Sequence, residues 1–214
     1  MSTRTTARKR MTANDRREVI ERAATEVFAE RGYHSAAVDE IARRSGISVP
    51  VLYDHFRSKR NLYERLIERH YAELRSVWFE FATHGESLAA WLEGAVDAWF
   101  AHVEQNPFAG RMLFQDTTGD PEIAAIHRDI QRSSRAEVLP LLVHEADKAE
   151  IDLGDAVGAE LTWETMRAVL QGLAMWWYDH PDVSRHRIVT AAMNAIWIGF
   201  ERLLAGEEWQ PRAT

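Results

Sequence analysis

Apolar residues recur at intervals of three and four along most of this chain, and no apolar/polar alternation lasts long enough to make a strand. That periodicity calls for amphipathic helices and leaves no sheet to build a core on. The glycines and prolines interrupt it sparsely, at Gly32, Gly46, Gly85, Pro107, Gly119 with Pro121, Gly154 and Pro181, which divides the chain into about nine helices. The expected fold class is therefore all-α. At 214 residues the chain can bury a sizeable core, yet it falls short of two average domains.

The charge is unevenly divided. Residues 1–60 hold 13 of the 26 Lys and Arg but only 8 of the 33 Asp and Glu, a balance of +5; residues 61–214 hold 13 and 25, a balance of −12. A basic head that meets a polyanion and an acidic body with another task would produce this split, as would two differently solvated faces. The absence of cysteine removes disulfides, thiolate nucleophiles and cysteine-ligated zinc. No run of about 18 apolar residues and no signal-peptide pattern is present, so the reading is a soluble, cytoplasmic chain with no membrane partner. No cofactor and no metal are expected.

Within the basic part, a Ser/Thr/Arg-rich arm (1–13) is expected to be disordered, and a domain of residues 14–60 follows it. Its first helix is expected from the N-cap Asn14 to about Arg31, closed by Gly32. A short amphipathic helix, Val38 to Ser45, is closed by Gly46 and followed by the turn residues Ile47 and Ser48. A second short helix, Val49 to Phe56, has Ser48 as its N-cap and Pro50 in its first turn. Ile41, Ile47, Leu52 and Phe56 would form a small core, with Ala42 allowing the helices to approach. This is the pattern of a DNA-binding helix-turn-helix, although a helical hairpin inside a bundle shares it. Arg57, Lys59 and Arg60 directly after the second helix place cations where phosphates would lie.

The residues Phe28, Gly32-Tyr33, Val38, Ile41-Ala42, Gly46-Ile47-Ser48, Leu52-Tyr53, Phe56, Lys59 and Leu62 resemble the TetR family of bacterial transcriptional regulators over roughly residues 14–63. The resemblance implies a three-helix DNA-binding head and a larger helical body (61–214) that binds a ligand. It further implies a homodimer formed through the last two helices, and release from operator DNA when a small molecule binds. Tyr53, His55 and Lys59 become DNA contacts by this likeness, with Tyr53 and Lys59 on phosphate and the helix from Val49 in the major groove. Arg8 and Arg10 of the arm either enter a minor groove or keep the terminus soluble. Two departures stand out. Ala36 and Ala37 occupy positions where the family has Thr or Ser, so a cap and a phosphate contact are missing unless Ser35 substitutes. Val49, Pro50 and Val51 offer base edges few hydrogen-bond donors, leaving apolar contact with thymine methyls as one way to read sequence.

The body accumulates large rings. Trp91, Trp99, Phe108, Phe114, Trp163, Trp176 and Trp177, with Met112, Met166 and Leu170, either fill a helical core or line an apolar pocket for a lipophilic or aromatic ligand. Gln115, Asp116, Gln171 and Asn194 are candidates to orient such a ligand. The segments Leu161–Tyr178 and Ile188–Leu204 lack a fully polar face and would need a partner subunit to cover them. Leu173, Ala192, Ala195, Ile196, Gly199 and Leu203 are the expected interface, and a two-fold dimer would present its heads to a palindrome.

The reading that joins these features is a ligand-responsive regulator, a repressor that binds a double-stranded DNA operator as a homodimer and leaves it on binding a small-molecule effector. An architectural DNA-binding protein without effector is the alternative, and its body would be expected to be basic. An enzyme is the more distant alternative. His127, His144, His180 and His186 could serve as bases, yet the sequence contains no nucleophile elbow, phosphate loop, zinc motif or dinucleotide fingerprint.

Overall fold

A computed structural model describes residues 12–81, 87–115 and 120–204, without the side chains of residues 81 and 199–204. Among the described residues there are nine α-helices and no strand: α1 (Ala13–Ser35), α2 (Val38–Arg44), α3 (Val49–His55), α4 (Lys59–Phe81), α5 (Leu88–Gln105), α6 (Pro107–Phe114), α7 (Pro121–Lys148), α8 (Ala156–Tyr178) and α9 (Arg185–Leu204). The chain divides into two compact units, Met1–Leu66 and Ile67–Thr214, with the division inside α4. No helix among the described residues is long and apolar enough to cross a membrane.

In the first unit, the head, α1 begins earlier than its sequence suggests. Thr12, not Asn14, is the N-cap: its hydroxyl accepts from the Asp15 amide (3.1 Å), while the Asp15 carboxylate accepts from the Thr12 amide (2.9 Å). This reciprocal box satisfies two amides that an isolated Asn14 cap would leave open. The same Thr12 backbone bond holds the Asp15 carboxyl below its ordinary range. Residues 1–11, with Arg8 and Arg10, lie outside the described residues. Gly32 breaks the helix in the left-handed region (φ 71°), after which one further turn runs to Ser35. Ala37 takes the N-cap position of α2 without a side-chain bond, so Ser35 does not substitute for the missing cap.

Gly46, at φ 67°, makes the turn between α2 and α3, and the Ile47 amide returns to the Ala42 carbonyl (3.0 Å). Ser48 sits at the N-cap position of α3, yet its side chain makes no cap bond. Of the two amides a cap residue can accept from, the second and third of the helix, Pro50 removes the first and leaves only that of Val51. Around this turn Ile20, Val27, Phe28, Ile41, Leu52 and Phe56 are fully or almost fully buried, each contributing about 1.5–3 kcal/mol of hydrophobic stabilisation. Phe28 meets Tyr63 edge to face, with centroids 5.0 Å apart. Arg44 forks onto Glu30 (2.6 and 2.9 Å) and also reaches Glu40 (2.6 Å), clamping the end of α2 to α1.

The second unit, the body, is a bundle in which α5 packs on α9 and α6, and α8 packs on α6, α7 and α9. Ser87, Asp120 and Asp155 cap α5, α7 and α8 through their side chains. Arg185 fastens the start of α9 to α5 through Asp97 (3.0 Å) and Glu104 (2.8 Å). The α7 helix continues through Pro140, which has no amide to offer the carbonyl of Ala136. Its His127 is buried, and burial lowers the imidazole pKa to about 4 despite a hydrogen bond with the Leu113 backbone.

Candidate nucleic-acid interface and body cavity

The α3 helix divides cleanly between an inner and an outer face. Leu52 and Phe56, four residues apart, are buried, whereas Pro50, Tyr53 and Asp54 are exposed, and Arg57 is exposed just past the end of the helix. Tyr53, 46% exposed, is thus an outward-facing hydroxyl and not a core ring. Ser48 is exposed at the head of the stripe, while Val49, Val51 and His55 are half-buried on its flanks. Arg57 has no ion-pair partner among the described residues, so its charge is available to an external anion. Asp54 did not stand out in the sequence; its signal is the spacing of three and four from Pro50 and Tyr53 to Arg57.

Lys59 is differently placed. Its ammonium donates to the His34 carbonyl (3.1 Å) and lies 4.6 Å from the centre of the Tyr33 ring, and burial pulls its pKa below the ordinary lysine value. It therefore ties the start of α4 to the turn after Gly32. Its neighbour Arg60 pairs with Glu64 at 2.7 Å.

In the body, one face each of three helices surrounds a cavity of about 60 Å³ that opens to solvent. Tyr71, Leu74, Arg75 and Trp78 come from α4, Gln131, Ser134 and Val138 from α7, and Trp163, Met166, Arg167, Leu170 and Gln171 from α8. Trp99 of α5 and Phe114 of α6 complete the wall as a stacked pair, 5.6 Å between centroids. Such spacings of three, four and seven put every contributor of a helix on one side of it. The hydrogen bond from Gln131 Nε2 to the Tyr71 hydroxyl (3.1 Å) crosses between α7 and α4. Ser134, only 9% exposed, has a hydroxyl with no partner.

Trp99, Phe114, Trp163, Met166 and Leu170 thus line this cavity, and Gln171 joins them. Trp91 lies behind it, 6.2 Å from Trp78, and Met112 is wholly buried in the bundle. Phe108 packs edge-on against Tyr178, and Trp177 donates to the Val183 carbonyl (2.7 Å) beside a second cavity. Trp176 is 47% exposed, stacked on His180 at 3.9 Å. Tyr71, Leu74, Arg75 and Trp78 were not anticipated, because α4 reads in sequence as an ordinary amphipathic helix.

A further apolar surface runs along α8 and α9. Val157, Leu161, Ala168, Gly172 and Trp176 form one exposed stripe of α8, with Leu161 63% exposed; Ala191, Ala195 and Ile198 are exposed on α9. A methyl added at Gly172 would meet nothing within 4 Å. Of the expected interface residues, Ala195 faces solvent and Leu173 is half-buried, while Ala192 and Ile196 are buried within their own chain. The side chains of Gly199 and Leu203 lie outside the described ones. Among the described residues, no group of three or more His, Cys, Asp or Glu is placed to hold a metal ion.

Residues 20–66 match the sequence model of a family described as bacterial regulatory proteins, tetR family. Over 117 residues, 54% of this chain, the sequence is 39% identical to the HTH-type transcriptional activator FasR of Mycolicibacterium smegmatis. The matched stretch spans 53% of that protein, about half the length of this curated relative. Among solved structures, a TetR-like transcriptional regulator from Rhodococcus sp. RHA1 superposes with a TM-score of 0.73 at 22% identity, over 92% of this chain and 100% of the other. The transcriptional regulator FadR of Bacillus subtilis, crystallised in complex with stearoyl-CoA, superposes with a TM-score of 0.71 at 17% identity, over 89% and 99% of the two chains. At those identities the structural likeness speaks for the fold.

Proposed function

We propose that this chain, whose residues 20–66 match the tetR family model, is a transcriptional regulator of that family controlled by a small lipophilic or aromatic effector. It binds a palindromic operator as a homodimer. The observation that carries this reading is the outer stripe of α3, Pro50, Tyr53 and Asp54, with Arg57 just beyond it, held on a small buried core inside the segment that matches the family. Ser48, Val49 and Val51 flank the major-groove face, His55 borders it, and Lys59 braces the start of α4 while adding positive charge near the phosphates. Arg8 and Arg10 of the arm supply further phosphate or minor-groove contacts.

The effector occupies the body cavity between α4, α7 and α8, whose ring-rich wall suits an apolar molecule. A fold relative that was crystallised with stearoyl-CoA supports an apolar occupant. The exposed stripes of α8 and α9 are the subunit interface, since two such faces together bury apolar surface that one chain leaves open. Effector binding alters operator affinity by favouring one of two dimer arrangements.

The direct test is to mix the purified protein with fragmented genomic DNA of its host at physiological salt and sequence what is retained. Enrichment of one palindrome is expected. Retention without a shared site would replace this reading by architectural binding, and no retention would sink both. The sign of control has a second reading: repression with release by effector is the first, while the relative at 39% identity is named an activator. A reporter driven from the enriched site, with and without the protein, decides between them.

A further inference from the structure

The body carries a balance of −12 over residues 61–214, yet the cavity described above is lined by fourteen residues that include Arg75 and Arg167 and no Asp or Glu. Both guanidiniums are paired outward. Arg75 reaches Glu137 (3.1 Å), whose side chain is half exposed, and Arg167 reaches Glu164 (2.7 Å) and the Gln171 side-chain oxygen (2.7 Å). Neither glutamate lines the cavity. Among the lining side chains, the Ser134 hydroxyl is buried with no partner, a standing cost that a bound oxygen would relieve. The remaining wall is mostly rings and aliphatic side chains.

We propose that the effector is an amphipathic organic anion. Its apolar body lies against Trp99, Phe114 and Trp163, and its anionic group takes Arg75 and Arg167 in exchange for their solvent-facing glutamates. One of its oxygens accepts from the Ser134 hydroxyl. The exchange is favourable because the glutamates are exposed enough to be rehydrated when they are displaced, whereas a neutral ligand leaves both ion pairs in place and gains nothing from either arginine. This inference rests on the cavity being the effector site.

The test measures quenching of tryptophan emission in the full-length protein by decanoate and by 1-decanol, two probes of the same chain length that differ in charge. Decanoate is expected to bind about tenfold more tightly, the scale of one charge-assisted hydrogen bond. Replacing both arginines (Arg75→Gln with Arg167→Gln) should bring the two probes within about twofold, and the Lys pair should restore most of the preference, because it keeps the charge. Ser134→Ala should weaken decanoate by a few-fold. Equal affinity of the two probes for the unmodified protein, or a preference that survives loss of both arginines, would overturn the anionic assignment and leave the cavity as an effector site. Absence of saturable quenching by either probe would overturn the inference and the cavity together, while operator capture reports separately on DNA binding.

Discussion

The head and the body solve the same problem, burying helices, with opposite consequences for function. In the head, the residues that make the core and those that face outward alternate within seven-residue helices, so Leu52 and Phe56 fix the direction in which Tyr53 and Asp54 point. In the body, the proposed effector site lies between helices: Tyr71, Ser134 and Trp163 meet only because three distant segments pack together. A local site is rigid and repeatable, and a between-helix site can change with few substitutions.

The contrast can be broken most severely at the α8 stripe. Leu161 is exposed, so Leu161→Arg should leave each chain folded, separate the subunits and weaken operator binding by about a hundredfold or more as one half-site is lost. Light scattering that still finds a dimer would remove this face from the interface. Next in size is Leu52→Ala, which should cost the head about 2–5 kcal/mol. All eight tryptophans lie beyond residue 66, so emission should report an unaltered body while far-ultraviolet dichroism and DNA binding fall. A matching loss of tryptophan signal would mean that the two units do not fold separately.

Acid should separate the regions more gently. An unfolded His127 titrates near 6.5 and the folded one near 4, so between those values the unfolded chain takes up the proton and body stability falls as pH drops from about 6.5 to about 4. The effect is on the order of 2–3 kcal/mol, and His127→Gln should flatten urea midpoints, read by tryptophan emission, across that range. In the head, the Arg44 fork depresses the Glu30 carboxyl, so its contribution persists above that group's ordinary pKa and fades only at lower pH. The smallest effect distinguishes the two roles of Lys59. If it also touches phosphate, Lys59→Ala lowers the salt slope of operator binding by about 1; if it only braces His34 and Tyr33, the slope is unchanged and the head melts earlier.

Much of the head was legible in the sequence because its signals are local: Gly46 demands its turn, and buried residues repeat at helical spacing. Even there, the Thr12 and Asp15 box was hidden behind the equally plausible Asn14, and Ser48 occupies the cap position of α3 without making a cap bond. The body was legible one helix at a time. Trp163, Met166 and Leu170 share a face of α8 by spacing alone, and that face does line the cavity. Spacing could not say which face of α4 would oppose it, so Arg75 and Trp78 went unnoticed. Adjacent residues on a helix point about 100° apart, which is how Trp177 is buried while Trp176 stands in solvent. The apolar face of α9 was read as a seam for a second subunit, and Ala192 and Ile196 instead fill their own bundle.

Pro140 gives the cavity wall a mechanical property. The Ala136 carbonyl one turn before it has no amide above it to hold, so α7 can bend there without losing a backbone bond that a straight helix would forfeit. Gln131, Ser134 and Val138 occupy the turns leading into that point. A bend at that point would change the volume between α4, α7 and α8 by moving one helix instead of repacking three.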